Sequence, residues 1–280
     1  MSLTPAQIKG RIKNVAKTNK ADARVLIRIY MMERFLERVA NSKHAEDFII
    51  KGGILVTSMI GVSLRSTMDI DTTIRNFDLT QEEALKIVKE ICEIDLNDNV
   101  SFKVKEVSSI MDEMEYPGIR IGLDAFIGEM VTPIKIDIST GDVITPSAIE
   151  YDYKLMLEER SIRLWSYNLE TILAEKLQTV LARGTLNTRM RDYYDIYTLM
   201  LCYKDNIDAD TIRAGFVATC KKRGTLDLIS SGEELLDQLA TDENLMNLWK
   251  CYQKKYPYAE SIDYTDVITS TRQLYNYLRG

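Results

Sequence analysis

Apolar residues recur at helical spacing at the start of the chain, alternate in its middle and return to helical spacing toward its end. "LTPAQIKGRI" supplies Thr4 as an N-cap, Pro5 at the first helical position and Gln7 as capping-box partner. Ile8, Ile12 and Val15 continue that stripe. A second amphipathic helix is predicted over about 21–41, with Val25, Ile29, Met32, Phe35, Leu36 and Val39 on one side. In "DFIIKGGILVTSMIG" an apolar run meets Lys51, Gly52 and Gly53 before a helix-like segment. "LTQEEALKIVKEIC" has Thr80 three residues before Glu83, a second capping box, and reads as a helix to about Glu93.

The alternating runs "VSFKVKEV", "GIRIGLDAFIG" and "TPIKIDIST" predict strands, with Gly128 and Glu129 as a hairpin turn between the last two. From Asn168 onward the pattern is helical. Leu173, Leu177, Val180 and Leu181 form one stripe ending at Gly184, and Met190, Tyr193, Tyr194, Tyr197 and Leu201 form the next. The expected architecture is therefore α+β. A mixed-sheet domain covers 1–158 and an all-helical domain covers 159–280, with "TGDVITPSAIEYD" as connector.

Against this pattern "GVSLRSTMDIDTTI" stands out, because aspartate is poorly suited to strands. Positions two apart on a strand share a face, so Asp69 and Asp71 would present two carboxylates side by side, with Ile70 on the apolar side. Such a pair repels itself unless a cation sits between, and a divalent ion is the usual solution. Asp137, flanked by Ile136 and Ile138, is a third strand-borne acid. It is either an edge aspartate facing water or convergent with the first two, and convergence is preferred. The Gly-Gly turn ahead of a helix start suits close approach by an anion, though a tight turn explains it equally well.

Composition narrows the chemistry. The chain has 280 residues, 45% hydrophobic and 28% charged, as in soluble globular proteins. No run is apolar enough to span a bilayer and no signal-peptide pattern opens the chain, so a cytoplasmic location without membrane attachment is expected. His44 is the only histidine. That nearly excludes mechanisms built on paired or metal-binding histidines, and a surface or capping role suits it better. The four cysteines have no metal-ligand spacing and read as buried free thiols. A net charge of -6 argues against non-specific coating of nucleic acid while leaving room for a local basic groove. Basic clusters occur at Lys221, Lys222 and Arg223, and at Lys250, Lys254 and Lys255; each reads first as a solvated face.

Three strand-borne acids, a Gly-Gly turn and a helical second half fit a nucleotidyltransferase. Mg²⁺ held by carboxylates, with two ions or with Mn²⁺ in its place, would lower the charge on a nucleoside triphosphate and help a hydroxyl attack its α-phosphorus. Positioning and electrostatics suffice for such chemistry, so the scarcity of histidine is no obstacle.

"FIIKGGILVTSMIG", "RSTMDIDTTI", "IKIDIS", "LAEKLQTVLARG" and "RMRDYYDIY" follow one another in the order found in the AbiEii/AbiGii nucleotidyltransferase toxins, which this sequence resembles from the second helix to about residue 200. The resemblance implies a polymerase-β-like nucleotidyltransferase fold whose helical C-terminal domain contributes to the active-site cleft. It also implies the toxin half of a bacterial abortive-infection, type IV toxin–antitoxin pair, some members of which modify the tRNA 3′ end and stop translation. By position, Gly52 and Gly53 match the family's Gly-Gly, and Ser66 and Thr67 match hydroxyl residues expected at the triphosphate. The spacing in "STMDID" differs by one residue from the commoner "STDID", which leaves open which hydroxyl acts. Asp69 and Asp71 match the metal-binding pair, with Asp137 as a third candidate ligand.

Lys176 matches a lysine expected on nucleotide phosphates; without the resemblance it reads as a surface lysine. Asp192 and Asp195 lie in the last motif, with Asp192 preferred as the essential acid and Asp195 as a nucleotide contact. An intrahelical Arg191–Asp195 pair is the plain account of those charges, and Arg189 or Arg191 could instead meet phosphates. The expected partners are an NTP (GTP or CTP foremost), tRNA or another RNA as acceptor, and an antitoxin with or without direct contact. Two other readings compete: transfer to a protein hydroxyl, which the acidic pI of about 5.1 slightly favours, and a GTP-sensing regulator that transfers nothing.

Overall fold

The computed structural model describes residues 3–19, 21–75, 80–110 and 118–279. They form two compact units: residues 1–142 with 148–166, and residues 143–147 with 167–280.

The first unit opens with α1 (Pro5–Asn19) and α2 (Ala23–Ala40). The predicted cap on α1 is formed: the Thr4 amide donates to Gln7 Oε1 at 2.9 Å and the Gln7 amide to Thr4 Oγ1 at 3.3 Å. β1 (Phe48–Lys51) runs directly into α3 (Gly52–Ile60), and β2 (Ile70–Ile74) follows. α4 (Gln81–Cys92) begins with the Thr80–Glu83 capping box; Leu79, quoted with it above, lies outside the described residues. β3 (Val100–Ile110), β4 (Gly118–Ile127) and β5 (Met130–Thr140) form an antiparallel meander, with Gly128 at φ +58° in the tight turn between the last two.

Two strands were not foreseen. Residues 149–154 and 161–166, assigned above to the connector and the stretch after it, form β6 (Ile149–Lys154) and β7 (Ser161–Ser166). β7 pairs parallel to β1, which its short Ile162–Leu164 alternation does not reveal. The sheet order is β3-β4-β5-β2-β1-β7-β6, mixed in sense. β2 is central, antiparallel to β1 and parallel to β5. Ile70, Ile74, Ile136 and Ile138 belong to the buried core, together with Ile29, Met32, Phe35, Leu36 and Val39 of α2.

The second unit is helical: α5 (Leu169–Arg183), α6 (Met190–Tyr203), α7 (Ala209–Arg223), α8 (Leu228–Thr241), α9 (Glu243–Lys255) and α10 (Tyr264–Asn276). Asn168 caps α5 by accepting from the Thr171 amide at 2.7 Å. Leu173, Leu177, Tyr193, Tyr194, Leu199 and Trp249 fill its core.

The cysteines are free, but only Cys220 is buried; Cys202 and Cys251 are exposed, against the expectation of buried thiols. His44 is tied to Glu90 across 2.8 Å at the start of β1. No helix among the described residues is long and apolar enough to cross a membrane.

Candidate active site

In the first unit strand register brings two of the acids together. Asp71 on β2 is the direct partner of Asp137 on β5, so the two share a row and a face of the sheet. Asp69 lies in the bend before β2, not in the strand as expected, and is half-buried. Burial raises its pKa, and the charges of Asp137 and Asp71 raise it further, while Lys135 and Arg120 pull it down. Three carboxylates therefore bear on one another, and a cation would relieve that repulsion.

Asp71 and Asp137 are also held. Asp71 Oδ2 accepts from the Gly53 amide at 3.0 Å, which satisfies one of the orphan donors at the start of α3. Gly52 stands at φ +58°, and a β-carbon on it would lie 2.2 Å from Asp71 Oδ2. Glycine is thus required there twice, by its backbone angle and by the approach of the carboxylate. On Gly53 a β-carbon would fall 2.6 Å from Thr67 Oγ1. Thr67 is buried and its hydroxyl donates to the Asp69 carbonyl at 3.3 Å, whereas Ser66 is half-buried. Both oxygens of Asp137 are gripped by Arg120, Nε to Oδ1 at 2.8 Å and Nη2 to Oδ2 at 2.7 Å.

Arg120 was not among the residues singled out, because only the antiparallel register of β4 on β5 brings it opposite Asp137. Lys51 was missed as well. It occupies the row of Asp71 on β1, is buried, and pairs with Asp142 while donating to Ser139 Oγ at 2.7 Å. A lysine ending an apolar run ahead of two glycines is a signal the sequence carries, though its burial and its partners are not.

The second unit holds its own charged cluster. Lys176 on α5 reaches Asp192 Oδ1 at 2.9 Å and Asp195 Oδ2 at 2.7 Å on α6. Its side chain is 12% exposed, so the surface-lysine reading does not hold. Asp195 is fully buried and Asp192 nearly so. For Asp192 burial acts to raise the pKa, yet Lys176 and Arg189 together outweigh it and hold the carboxyl below its ordinary value. Asp195 pairs with Lys176, and Arg191 reaches the Tyr256 hydroxyl at 3.3 Å; this replaces the intrahelical Arg191–Asp195 pair that the spacing suggested.

Carboxylates gathered beside a glycine-opened helix start, at the middle of a mixed sheet, have the chemistry to bind a cation next to an anion. The family model for the nucleotidyl transferase AbiEii toxin of type IV toxin–antitoxin systems matches residues 34–270. The chain belongs to this family and is a toxin nucleotidyltransferase. Its structure is similar to that of JHP933 from Helicobacter pylori, with 16% identity, a TM-score of 0.48, and coverage of 91% of this chain and 93% of the other. An antigenic nucleotidyltransferase-like protein from Paracoccidioides brasiliensis gives 15% identity and a TM-score of 0.41 over 71% of this chain and 90% of its own. No curated protein matches the chain.

Proposed function

We propose that this toxin moves a nucleoside monophosphate from an NTP, GTP or CTP foremost, to the end of an RNA, with tRNA the leading acceptor. Translation would stop as a result, within a cytoplasmic abortive-infection response to phage. The sheet is read as a polymerase-β-like nucleotidyltransferase core. The observation that carries the reading is the in-register Asp71–Asp137 pair with Asp69 beside it, three acids whose mutual repulsion is already visible at Asp69.

A divalent cation, Mg²⁺ first and Mn²⁺ second, suits this donor set of hard carboxylate oxygens. Bound there, it would neutralise triphosphate charge and lower the pKa of the attacking hydroxyl. Asp69 and Asp71 would hold it. Among the described residues no three acids stand as a ready metal site, so Asp137, gripped by Arg120, would have to turn toward the ion to join as a third ligand. The remaining work falls to the chain itself. The Gly53 amide and the Gly52 backbone fix where Asp71 stands. Ser66, more exposed than Thr67, is assigned to a phosphate oxygen, and Thr67 to shaping the turn that carries Asp69. Lys176 is assigned to nucleotide phosphates, with Asp192 as the acid that orients it and Asp195 as its second, buried anchor.

Label transfer tests the reading. The purified protein is mixed with Mg²⁺, each α-labelled NTP in turn and total tRNA, beside an Asp69→Ala control. Label on RNA that requires Asp69 is the expected result and names the nucleotide. Label on a polypeptide would replace RNA with a protein acceptor. NTP binding without transfer to tRNA, other RNAs or cell extract would make the protein a sensor.

A further inference from the structure

The second unit carries an aromatic cluster that the chemistry above does not use. Trp249 and Tyr252 of α9 stack at 5.3 Å between ring centres, and Tyr252 leads to Tyr256 at 4.7 Å. Tyr256 and Tyr258 stack in turn at 5.4 Å with their planes 24° apart. Tyr194 of α6 supports the group from beneath, 4.8 Å from Tyr258. The inner members are core: Trp249, Tyr194 and Tyr252 are buried. Tyr256 and Tyr258 are not; both are half-exposed.

Cations surround this outer pair. The Arg191 guanidinium stands 6.0 Å from the Tyr256 ring and donates to its hydroxyl, while Lys255 Nζ lies 5.4 Å from the same ring. Lys250, Lys254 and Lys255 are exposed along α9, so this basic cluster of the sequence adjoins the aromatic edge. Arg191 also borders Asp192, which places the edge one residue along α6 from the Lys176 cluster. A hydrophobic core alone calls for neither two half-exposed stacked rings nor cations around them. Flat faces with cations beside them are what unpaired bases and their phosphates recognise.

We propose that Tyr256 and Tyr258, with Arg191 and Lys255, form a stacking platform for the unpaired end of the RNA acceptor. The platform deepens the RNA-transfer reading and rests on it for the identity of the ligand. Rings accept any base and the cations read only phosphate, so the platform binds single strands in preference to duplex and with little sequence preference.

Fluorescence anisotropy of the full chain with a labelled short single-stranded RNA, and with the same strand in a blunt duplex, tests this without requiring transfer. The single strand should bind more tightly. Tyr256→Ala should weaken it about tenfold or more, while Tyr256→Phe, which keeps the ring, stays within about twofold. Lys255→Glu changes an exposed side chain at the rim of the cluster and so tests the site even if Tyr256→Ala does not fold. It should weaken binding and lower the slope of log affinity against log salt by about one.

Unchanged RNA binding in Tyr256→Ala and Lys255→Glu overturns the platform even if label transfer to RNA succeeds. Loss of binding in both variants supports it even if no transfer is found, in which case the enzymatic reading alone fails. Failure of the intact protein to bind single-stranded RNA, or binding of a polypeptide acceptor in its place, overturns the platform as well.

Discussion

Gly52 and Asp71 stand so close that a single β-carbon on the glycine would come within 2.2 Å of the carboxylate oxygen. Gly52→Ala must therefore push Asp71 out of line while also straining a backbone at φ +58°. A displacement of about 1 Å at a reacting centre costs on the order of 100-fold in rate. Transfer should fall by at least about that factor, with a smaller change in the melting curve; a variant that transfers normally would show that Asp71 is not held for catalysis.

Asp71→Asn keeps the shape and the bond to the Gly53 amide but removes the charge. If the acids hold a divalent ion, several kcal/mol of charge stabilisation disappear, and transfer should drop about 1000-fold or more. Chelation with EDTA should do the same to the unaltered protein, reversed by added Mg²⁺. Both are read by label transfer.

Lys176 neutralises two buried acids at once, so its removal is a stability change before it is a kinetic one. Lys176→Met should cost about 3–5 kcal/mol in urea unfolding, because two buried acids lose the cation they share. Adding Asp195→Asn to that variant should restore part of the loss. If Lys176→Met proves as stable as the unaltered chain, the cluster is weaker than its geometry implies.

Glu33 on α2 gives a pH dependence of unusual sign for a carboxyl. It is buried and accepts the Met156 amide at 2.9 Å, and its Oε2 has no hydrogen-bond partner among the described residues. Burial drives its pKa up to about 8. The unfolded chain releases this proton near 4.5 and the folded chain near 8, so between those values the folded state binds more protons. Stability from this group is then fully present below pH 4.5 and declines as pH rises, by about 1.4 kcal/mol per unit, until Glu33 itself ionises. Comparing urea unfolding of Glu33→Gln with the unaltered chain across that window should isolate the slope; parallel curves would refute it.

Local chemistry was legible in the sequence and non-local pairing was not. Thr4 with Gln7 and Thr80 with Glu83 announce helix starts because a capping box is complete within four residues. Asp69, Asp71 and Asp137 could be named because an acid in an apolar alternation is conspicuous. That β2 and β5 lie side by side and in register could not, since it depends on how the sheet is ordered. The same holds for Arg120, which finds Asp137 through register, and for β7, whose pairing with β1 comes from a segment far along the chain. Arg191 shows the converse error: a plausible partner four residues away on its own helix lost to Tyr256, just past the end of α9.

The central place of β2 also bears on how such a toxin can be restrained. With β1 on one side and β5 on the other, its amides are closed on both flanks and should exchange with solvent only when the whole sheet opens. A partner that disabled the enzyme by loosening Asp71 would have to overcome the stability of the entire first unit. Blocking access, withholding a substrate or limiting synthesis demands far less free energy. Asp71 sits in the part of the molecule least open to negotiation, and control has to be exerted from outside it.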